Sequence, residues 1–244
     1  MVVENAIKTF CKNLGILMVF SISFLLGLLL PILASGPTYN ASGGVFLRFM
    51  SIPEMSALDA FVIAFTFLLS NFFVAFGVVA VNLIVKSEKT MLNIATEVIN
   101  NIPKSTFTIF MIYIFLFLVN AFVQVFLVEL NAPYWVSALA FLALYLPFFY
   151  IGPAIVIDEL KPAHAVRSSI EHMKMYPWRV IKWVIVGLGL LITTSLVTYL
   201  IIPAYFQWIT LMLNSFLIIP FLIVYQSHSY MEKFGILRTE KKKR

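Results

Sequence analysis

The chain is poor in charged residues. Only 11% of its 244 residues are Asp, Glu, Lys or Arg, whereas 61% are hydrophobic. A soluble domain usually carries about a quarter charged residues and at most about half apolar ones. A core of this size cannot bury such an excess in water, so the composition excludes an ordinary soluble protein and indicates one that resides in lipid.

Cysteine is also scarce, since Cys11 is the only one in the chain. A disulfide framework is therefore excluded. The sequence has no Gly-x-Ser-x-Gly turn, no His-Glu-x-x-His motif, no phosphate loop and no dinucleotide fingerprint. These absences favour a non-enzymatic protein, and they give no reason to expect a cofactor.

Six long apolar runs are present instead. Each has about 20 or more residues, enough to cross the hydrocarbon of a bilayer as a helix. They predict an all-α, polytopic transmembrane bundle of six spans, a single domain over residues 1–230 with a basic tail at 231–244. The runs are Leu14–Ala34, Leu58–Val85, Ser105–Val128, Tyr134–Ile157, Trp178–Ile201 and Tyr205–Gln226.

The basic residues are distributed unevenly around these runs. If the runs are spans, all of the 17 Lys and Arg residues except Arg48 lie on one side of the membrane. Lys and Arg in short loops mark the cytoplasmic side, so the pattern predicts a multi-pass cell-membrane protein with both termini in the cytoplasm. The net charge of +6 then predicts contact with anionic lipid of the inner leaflet, and it does not indicate nucleic acid.

Amphipathic stretches precede the three odd-numbered spans. Their apolar residues recur at helical spacing, which is typical of helices that lie flat on the membrane surface. The stripes are Val3, Ile7, Phe10 and Leu14; Met91, Ile94, Val98 and Ile102; and Ala163, Val166, Ile170 and Met173. Each helix is predicted to end at a breaker, namely Asn13, Pro103 or Pro177.

These stretches also match one another loosely. Lys89–Thr96 aligns with Lys161–Ser168, and Ile7-Lys8-Thr9 resembles Val166-Arg167-Ser168. The matches suggest three internal repeats, each an interfacial helix followed by a two-span hairpin.

One segment resembles a known pattern. It comprises Ile151-Gly-Pro-Ala-Ile-Val-Ile-Asp158, His164-Ala-Val-Arg-Ser-Ser-Ile170 and Tyr176-Pro177-Trp178. It is similar to a family of uncharacterised prokaryotic six-span integral membrane proteins, in which a Pro-containing turn leads into a cytoplasmic amphipathic helix. The layout is also similar to the membrane region of some glycerophosphodiester phosphodiesterases, whose soluble catalytic domain this chain does not contain. The resemblance implies a six-span layout and no particular activity.

Polar residues inside the spans are uncharged, which argues against a carrier that couples transport to intramembrane carboxylates. Some of them are candidates for the lining of a polar cavity: Asn71, Asn120, Gln124, Thr194, Thr198 and Asn214. Interhelical hydrogen bonding, at about 0.6–2 kcal/mol for each such residue, is the favoured interpretation. Ser23 and Gly27 form a small-x-x-x-small pattern that predicts close helix contact within the bundle.

Basic residues around the start of the fifth span are candidates for contact with lipid or a partner at the inner surface: Lys161, Arg167, Lys174, Arg179 and Lys182. His164, His172 and His228 also map to this rim, with Glu171 nearby. Their spacing is not that of a metal site, so no metal is predicted.

Three functions remain after these observations. The first is a non-enzymatic membrane component that organises lipid or holds partner membrane proteins. The alternative is a permease-like transporter or channel subunit, favoured by the polar span residues and by Pro147 and Pro153, which should kink the fourth span. A metal-assisted enzyme at the cytoplasmic rim is third.

Overall fold

The computed structural model describes residues 2–34, 40–42, 45–47, 57–90 and 94–232, and their side chains over 2–32, 61–88 and 102–232. The described chain is almost entirely helical, apart from a short antiparallel hairpin in which Ala41 pairs with Phe46. The strands are β1 (Asn40–Ser42) and β2 (Val45–Leu47). The α-helices are α1 (Val2–Lys12), α2 (Leu14–Ala34), α3 (Ala57–Thr90), α4 (Ile94–Glu129), α5 (Tyr134–Tyr145), α6 (Ile151–Val156), α7 (Pro162–Met175), α8 (Pro177–Ile201), α9 (Phe206–Leu213) and α10 (Ile219–Met231).

Six helical segments are long and apolar enough to cross a membrane. They are Leu14–Ile32, Phe61–Glu88, Ile102–Glu129, Tyr134–Val156, Pro177–Ile201 and Pro203–Met231. Each coincides with one of the predicted runs, so the all-α, six-span bundle is confirmed. The fourth span is interrupted by a 3₁₀ turn at Leu146–Phe148. The sixth span begins with a 3₁₀ turn at Pro203–Tyr205 and is interrupted by a π-helix at Asn214–Ile218.

Two of the three predicted helix breaks are confirmed and one is wrong. Asn13 separates α1 from α2, and α8 begins at Pro177, where the missing N–H of proline costs nothing. Pro103, in contrast, lies inside α4. Pro103 lies one residue into the apolar stretch that begins at Ile102. Its missing N–H leaves the carbonyl four residues earlier without a donor. That carbonyl precedes the apolar stretch, so water can satisfy it.

The even-numbered spans form the centre of the bundle. Helices α3, α6 and α10 pack against one another, and α2, α4 and α8 pack around them. The outer helices α4 and α8 expose large apolar side chains at helical spacing, as expected of lipid-facing surfaces. On α4 these include Phe107, Met111, Phe115, Leu118 and Phe122, and on α8 Trp178, Ile181, Ile185, Leu188 and Ile192.

Small residues bring α2 and α3 into close contact. A Cβ atom on Gly77 would lie 2.5 Å from Ser23 Oγ and 2.6 Å from the ring of Phe24. One on Gly27 would lie 2.7 Å from Cγ2 of Val74. The predicted close packing at Ser23 and Gly27 is thus confirmed within the bundle.

Burial is concentrated at one end of the bundle, which we call the charged end because Lys86, Glu159 and Glu232 lie there. All residues from 77 to 87 in α3 are buried, as is the whole of α6. Helices α5 and α9, which extend away from that end, contain no buried residue. Most of the fully buried core therefore lies toward the charged end.

Candidate functional site at the charged end

The five basic residues predicted to contact lipid or a partner divide into two groups. Lys161, Arg167, Lys174 and Lys182 are exposed. Arg167 is balanced by Glu171, one turn later on α7, at 2.9 Å. Arg179 is directed into the protein, where its guanidinium bonds Glu232 at 2.7 Å and the Ser229 carbonyl at 3.0 Å and lies 3.9 Å from the Tyr176 ring centroid.

Exposed lysines and apolar side chains meet at the corner between α7 and α8. We call Lys174, Met175, Trp178, Ile181 and Lys182 the corner patch. Trp178 is 71% exposed, and Met175 and Ile181 are exposed as well. Tryptophan beside lysine is the composition of a membrane interface, because the ring sits at the headgroup level and the ammonium extends toward the phosphates.

Helix α1 separates its residues into two faces. Ala6 and Thr9 are buried against the protein, while Val3 and Ile7 from the predicted apolar stripe are exposed, Ile7 by 47%. An apolar face left open on a helix beside the bundle is suited to the boundary between headgroups and acyl chains. The middle stripe, Met91 to Ile102, lies mostly outside the described side chains, as does the basic tail at 233–244.

Helix α7 packs on the bundle through residues that lie outside the predicted apolar stripe. Its buried residues are Ala165, Ser168, Ser169 and His172. In the predicted apolar stripe Ala163 is exposed, and Val166, Ile170 and Met173 are only half-buried. The face that the bundle receives is therefore small and polar, and it requires hydrogen-bond partners there.

Those partners form a buried network that the sequence did not predict. The Tyr230 hydroxyl donates to Asp158 at 2.6 Å. The Ser168 hydroxyl lies 2.9 Å from the same Tyr230 oxygen. The Tyr150 N–H donates to Ser169 Oγ at 3.0 Å. These bonds join α7 to the fourth and sixth spans at the charged end.

His172 is enclosed by aromatic rings within this network. Its imidazole lies 4.7 Å from the Tyr150 ring and 5.2 Å from the rings of both Tyr176 and Tyr230, between centroids. It is completely buried, as is His228, whose Nε2 lies 3.0 Å from Thr9 Oγ1. His164 is exposed. Within the described part of the chain, no three His, Cys, Asp or Glu side chains are grouped as metal ligands.

Ion pairs link the helices at this end. Lys86, whose side chain is only 9% exposed, bonds Glu159 at 2.7 Å. The hydrogen bond from the Lys86 ammonium and its positive charge hold the pKa of the Glu159 carboxyl below its ordinary value. Glu159 also has a φ of 54°, a left-handed conformation that is uncommon for a residue with a side chain. The strained backbone at Glu159 thus directs its carboxylate toward the Lys86 ammonium.

The six polar span residues do not converge on one point. Gln124 donates to Asn120 Oδ1 at 3.5 Å and to the Ser137 carbonyl at 3.3 Å, which connects α4 to α5. Thr198 bonds the Thr194 carbonyl at 2.8 Å and the Thr210 hydroxyl at 2.6 Å, which connects α8 to α9. These bonds are of the kind that hold spans together.

The other two residues have separate surroundings. Asn71 donates to the carbonyl of Phe67, one turn earlier in its own helix, at 2.9 Å. Asn214 begins the π-helix, and its Oδ1 is buried without a hydrogen bond from any described residue. A role of any of the six in lining a cavity stays a prediction.

Comparison of the chain with models of known protein families, with curated proteins and with solved structures gives no match.

Proposed function

We propose that this protein is a non-enzymatic membrane component that organises lipid or holds partner membrane proteins. Its charged end faces the cytoplasm and rests on the anionic inner leaflet of the cell membrane. The observation that carries this proposal is the corner patch, where Trp178 and two apolar neighbours are exposed between Lys174 and Lys182. The open apolar face of α1 lies beside Lys8 and supports the same orientation.

The chemistry of the patch favours anionic lipid over neutral lipid. Exposed apolar side chains gain free energy on entering the acyl boundary of either kind of lipid. A lysine near an anionic surface contributes about 1 kcal/mol more, so Lys174 and Lys182 together should favour anionic lipid about 30-fold. Arg167 should add little, since Glu171 already neutralises it.

The interior of the charged end supports a structural role over an enzymatic one. The Tyr230 hydroxyl bonds both Ser168 and Asp158. Arg179 is held by Glu232 and by the Ser229 carbonyl. These groups join helices, and their polar atoms are occupied in doing so.

Lipid titration followed by native mass spectrometry tests the proposal. The purified protein in mild detergent is titrated with phosphatidylglycerol or phosphatidylcholine. The double variant Lys174→Gln, Lys182→Gln should lose about 30-fold in affinity for phosphatidylglycerol and retain its affinity for phosphatidylcholine. The matched control Arg167→Gln, Glu171→Gln removes two charges from α7, outside the corner patch, without changing the net charge, and it should bind as the wild type does. Equal affinity of the wild type for both lipids would contradict the proposal.

A transporter is the second candidate, favoured by the sixth span. Its π-helix holds the buried Oδ1 of Asn214, which accepts no hydrogen bond from the described residues. Single-turn π-helices are frequent at functional sites, and interrupted spans form the binding sites of many transporters. Swelling of proteoliposomes in a panel of small solutes tests this role. Swelling that is abolished by Asn214→Leu and retained in Asn71→Leu would favour transport over the proposal above.

A further inference from the structure

We propose that α1 closes the charged end into a ring. In this arrangement α1 docks between α10 and α3 in the same way that α7 docks between α6 and α10. The spans then form three consecutive hairpins, and the amphipathic helix at the start of a hairpin packs on the even-numbered span of the preceding one. For α1 the preceding span is the last one in the chain, so the N-terminal helix joins the first hairpin to the third. This inference does not depend on lipid binding.

Three buried positions in and directly after α1 align with three of the four buried positions of α7. A constant spacing of 159 residues, the one that aligns Thr9 with Ser168, relates the two sets. Each set comprises an alanine, a hydroxyl residue three positions later and a larger polar residue four positions after that. The pairs are Ala6 with Ala165, Thr9 with Ser168, and Asn13 with His172.

The contacts of α1 reach both of the spans that the ring requires. On α10, Thr9 Oγ1 lies 3.0 Å from Nε2 of His228, and the Phe10 ring packs edge-on against Phe221 at 5.8 Å between centroids. Toward α3, the amide of Asn13 donates to Glu88 at 3.1 Å. The Lys12 ammonium pairs with the same carboxylate. Helix α1 therefore connects the last span to the second.

Helix α7 likewise contacts two even-numbered spans, but through different positions. Thr9 bonds the preceding span, whereas its counterpart Ser168 bonds the span of its own hairpin. Ser169 Oγ accepts the Tyr150 N–H at the start of α6, the preceding even-numbered span. Ser168 bonds Tyr230 on α10, the even-numbered span of its own hairpin. The His172 ring lies between Tyr150 and Tyr230 and contacts both.

The glutamates at the ends of the even-numbered spans repeat as well. Glu88, Glu159 and Glu232 follow the apolar part of the second, fourth and sixth spans, and each is bound by a basic side chain. In the first and third hairpins the base comes from the start of the odd-numbered span, as Lys12 or Arg179. In the second hairpin Lys86 binds Glu159. Lys104, at the start of the odd-numbered span, contributes a positive charge that also lowers the pKa of the Glu159 carboxyl.

Hydrogen exchange read by mass spectrometry tests whether α1 stabilises α10. Thr9→Lys places a charge in the buried contact with His228, whereas Cys11→Lys places the same charge at an exposed position of α1. Amide protection should fall in both α1 and α10 of the Thr9→Lys variant and stay at the wild-type level in α10 of the Cys11→Lys variant. Unchanged protection of α10 in Thr9→Lys would overturn the ring, because α1 would then be lying on the membrane surface alone.

A circular permutant provides the second test. The permuted chain begins at Lys161, ends at Leu160 and joins Arg244 directly to Met1. The 12 residues after Glu232 can span about 40 Å, more than twice the length of about 16 Å of an 11-residue helix such as α1. If the ring is closed, the permutant should fold with a thermal midpoint within about 5 °C of the wild type. The proposal requires both results, and a permutant that does not fold overturns it.

Discussion

Replacing Gly77 by alanine should destabilise the bundle, although alanine is the better helix former. The added Cβ would lie 2.5 Å from Ser23 Oγ and 2.6 Å from the Phe24 ring, where ordinary contacts are 3.4 Å or longer. Phe24 is buried and cannot turn into open space. Helices α2 and α3 must therefore separate by about 1 Å along a tightly packed contact.

The expected magnitude follows from two opposing effects. Alanine in place of glycine gains about 0.5–1 kcal/mol of helix propensity, and overpacking of a close-packed contact costs about 1–3 kcal/mol. Gly189→Ala on α8 is the matched control, because no atom lies within 4 Å of its added Cβ. The two variants share the propensity gain, so their stabilities should differ by about 1–3 kcal/mol.

Unfolding by sodium dodecyl sulfate in mixed micelles, followed by far-ultraviolet circular dichroism, measures this difference. For a chain of this size, each kcal/mol should shift a thermal midpoint by about 2–4 °C. Phe24→Leu removes the ring atoms that clash, so Gly77→Ala should cost less in that background. If Gly77→Ala and Gly189→Ala agreed within about 0.5 kcal/mol, the close contact between α2 and α3 would be refuted.

Two ion pairs at the charged end give further predictions. Lys86 lowers the pKa of the Glu159 carboxyl, so their pair should stabilise the fold above the ordinary pKa of the carboxyl and lose that contribution as the pH falls through its folded value. Because the Glu159 side chain is 71% exposed, Glu159→Gln should remove about 1 kcal/mol or less at pH 7 and progressively less as the pH falls below the ordinary pKa of a glutamate, as read from thermal midpoints across that range. Arg179→Gln breaks the pair with Glu232 and should cost about 2–3 kcal/mol in the same assay. Lys182→Gln, one helical turn later and exposed, should stay within about 0.5 kcal/mol, and equal losses in the two variants would contradict the internal role of Arg179.

Hydrophobicity alone predicts the six spans, because a run of about 20 apolar residues has few alternatives to crossing a bilayer. The small-residue pattern at Ser23 and Gly27 was likewise sufficient to predict a close helix contact. The break at Pro103 was predicted wrongly, since a proline signal does not show whether water can reach the carbonyl that it leaves free.

The buried hydrogen-bond network at the charged end could not be predicted from the sequence. Tyr150 and Tyr230 are ordinary interfacial aromatics by composition, and their contacts with His172 depend on how three distant helices pack. Arg179 shows the same limit. It was grouped with exposed lysines, but its partner Glu232 lies 53 positions away, on the last helix. Charge patterns along the chain place such residues at a membrane boundary without showing whether they face water or protein.

Burial at one end of the bundle also makes its mechanical strength uneven. Helices α5 and α9 bury no residue, so a force applied at their far ends meets little resistance from packing. The buried stretch of α3 and the whole of α6, at the opposite end, would be the last to separate. A single molecule pulled out of a bilayer by the turn between α4 and α5 should therefore extend first at the end away from Lys86, with its largest rupture force when the charged end comes apart.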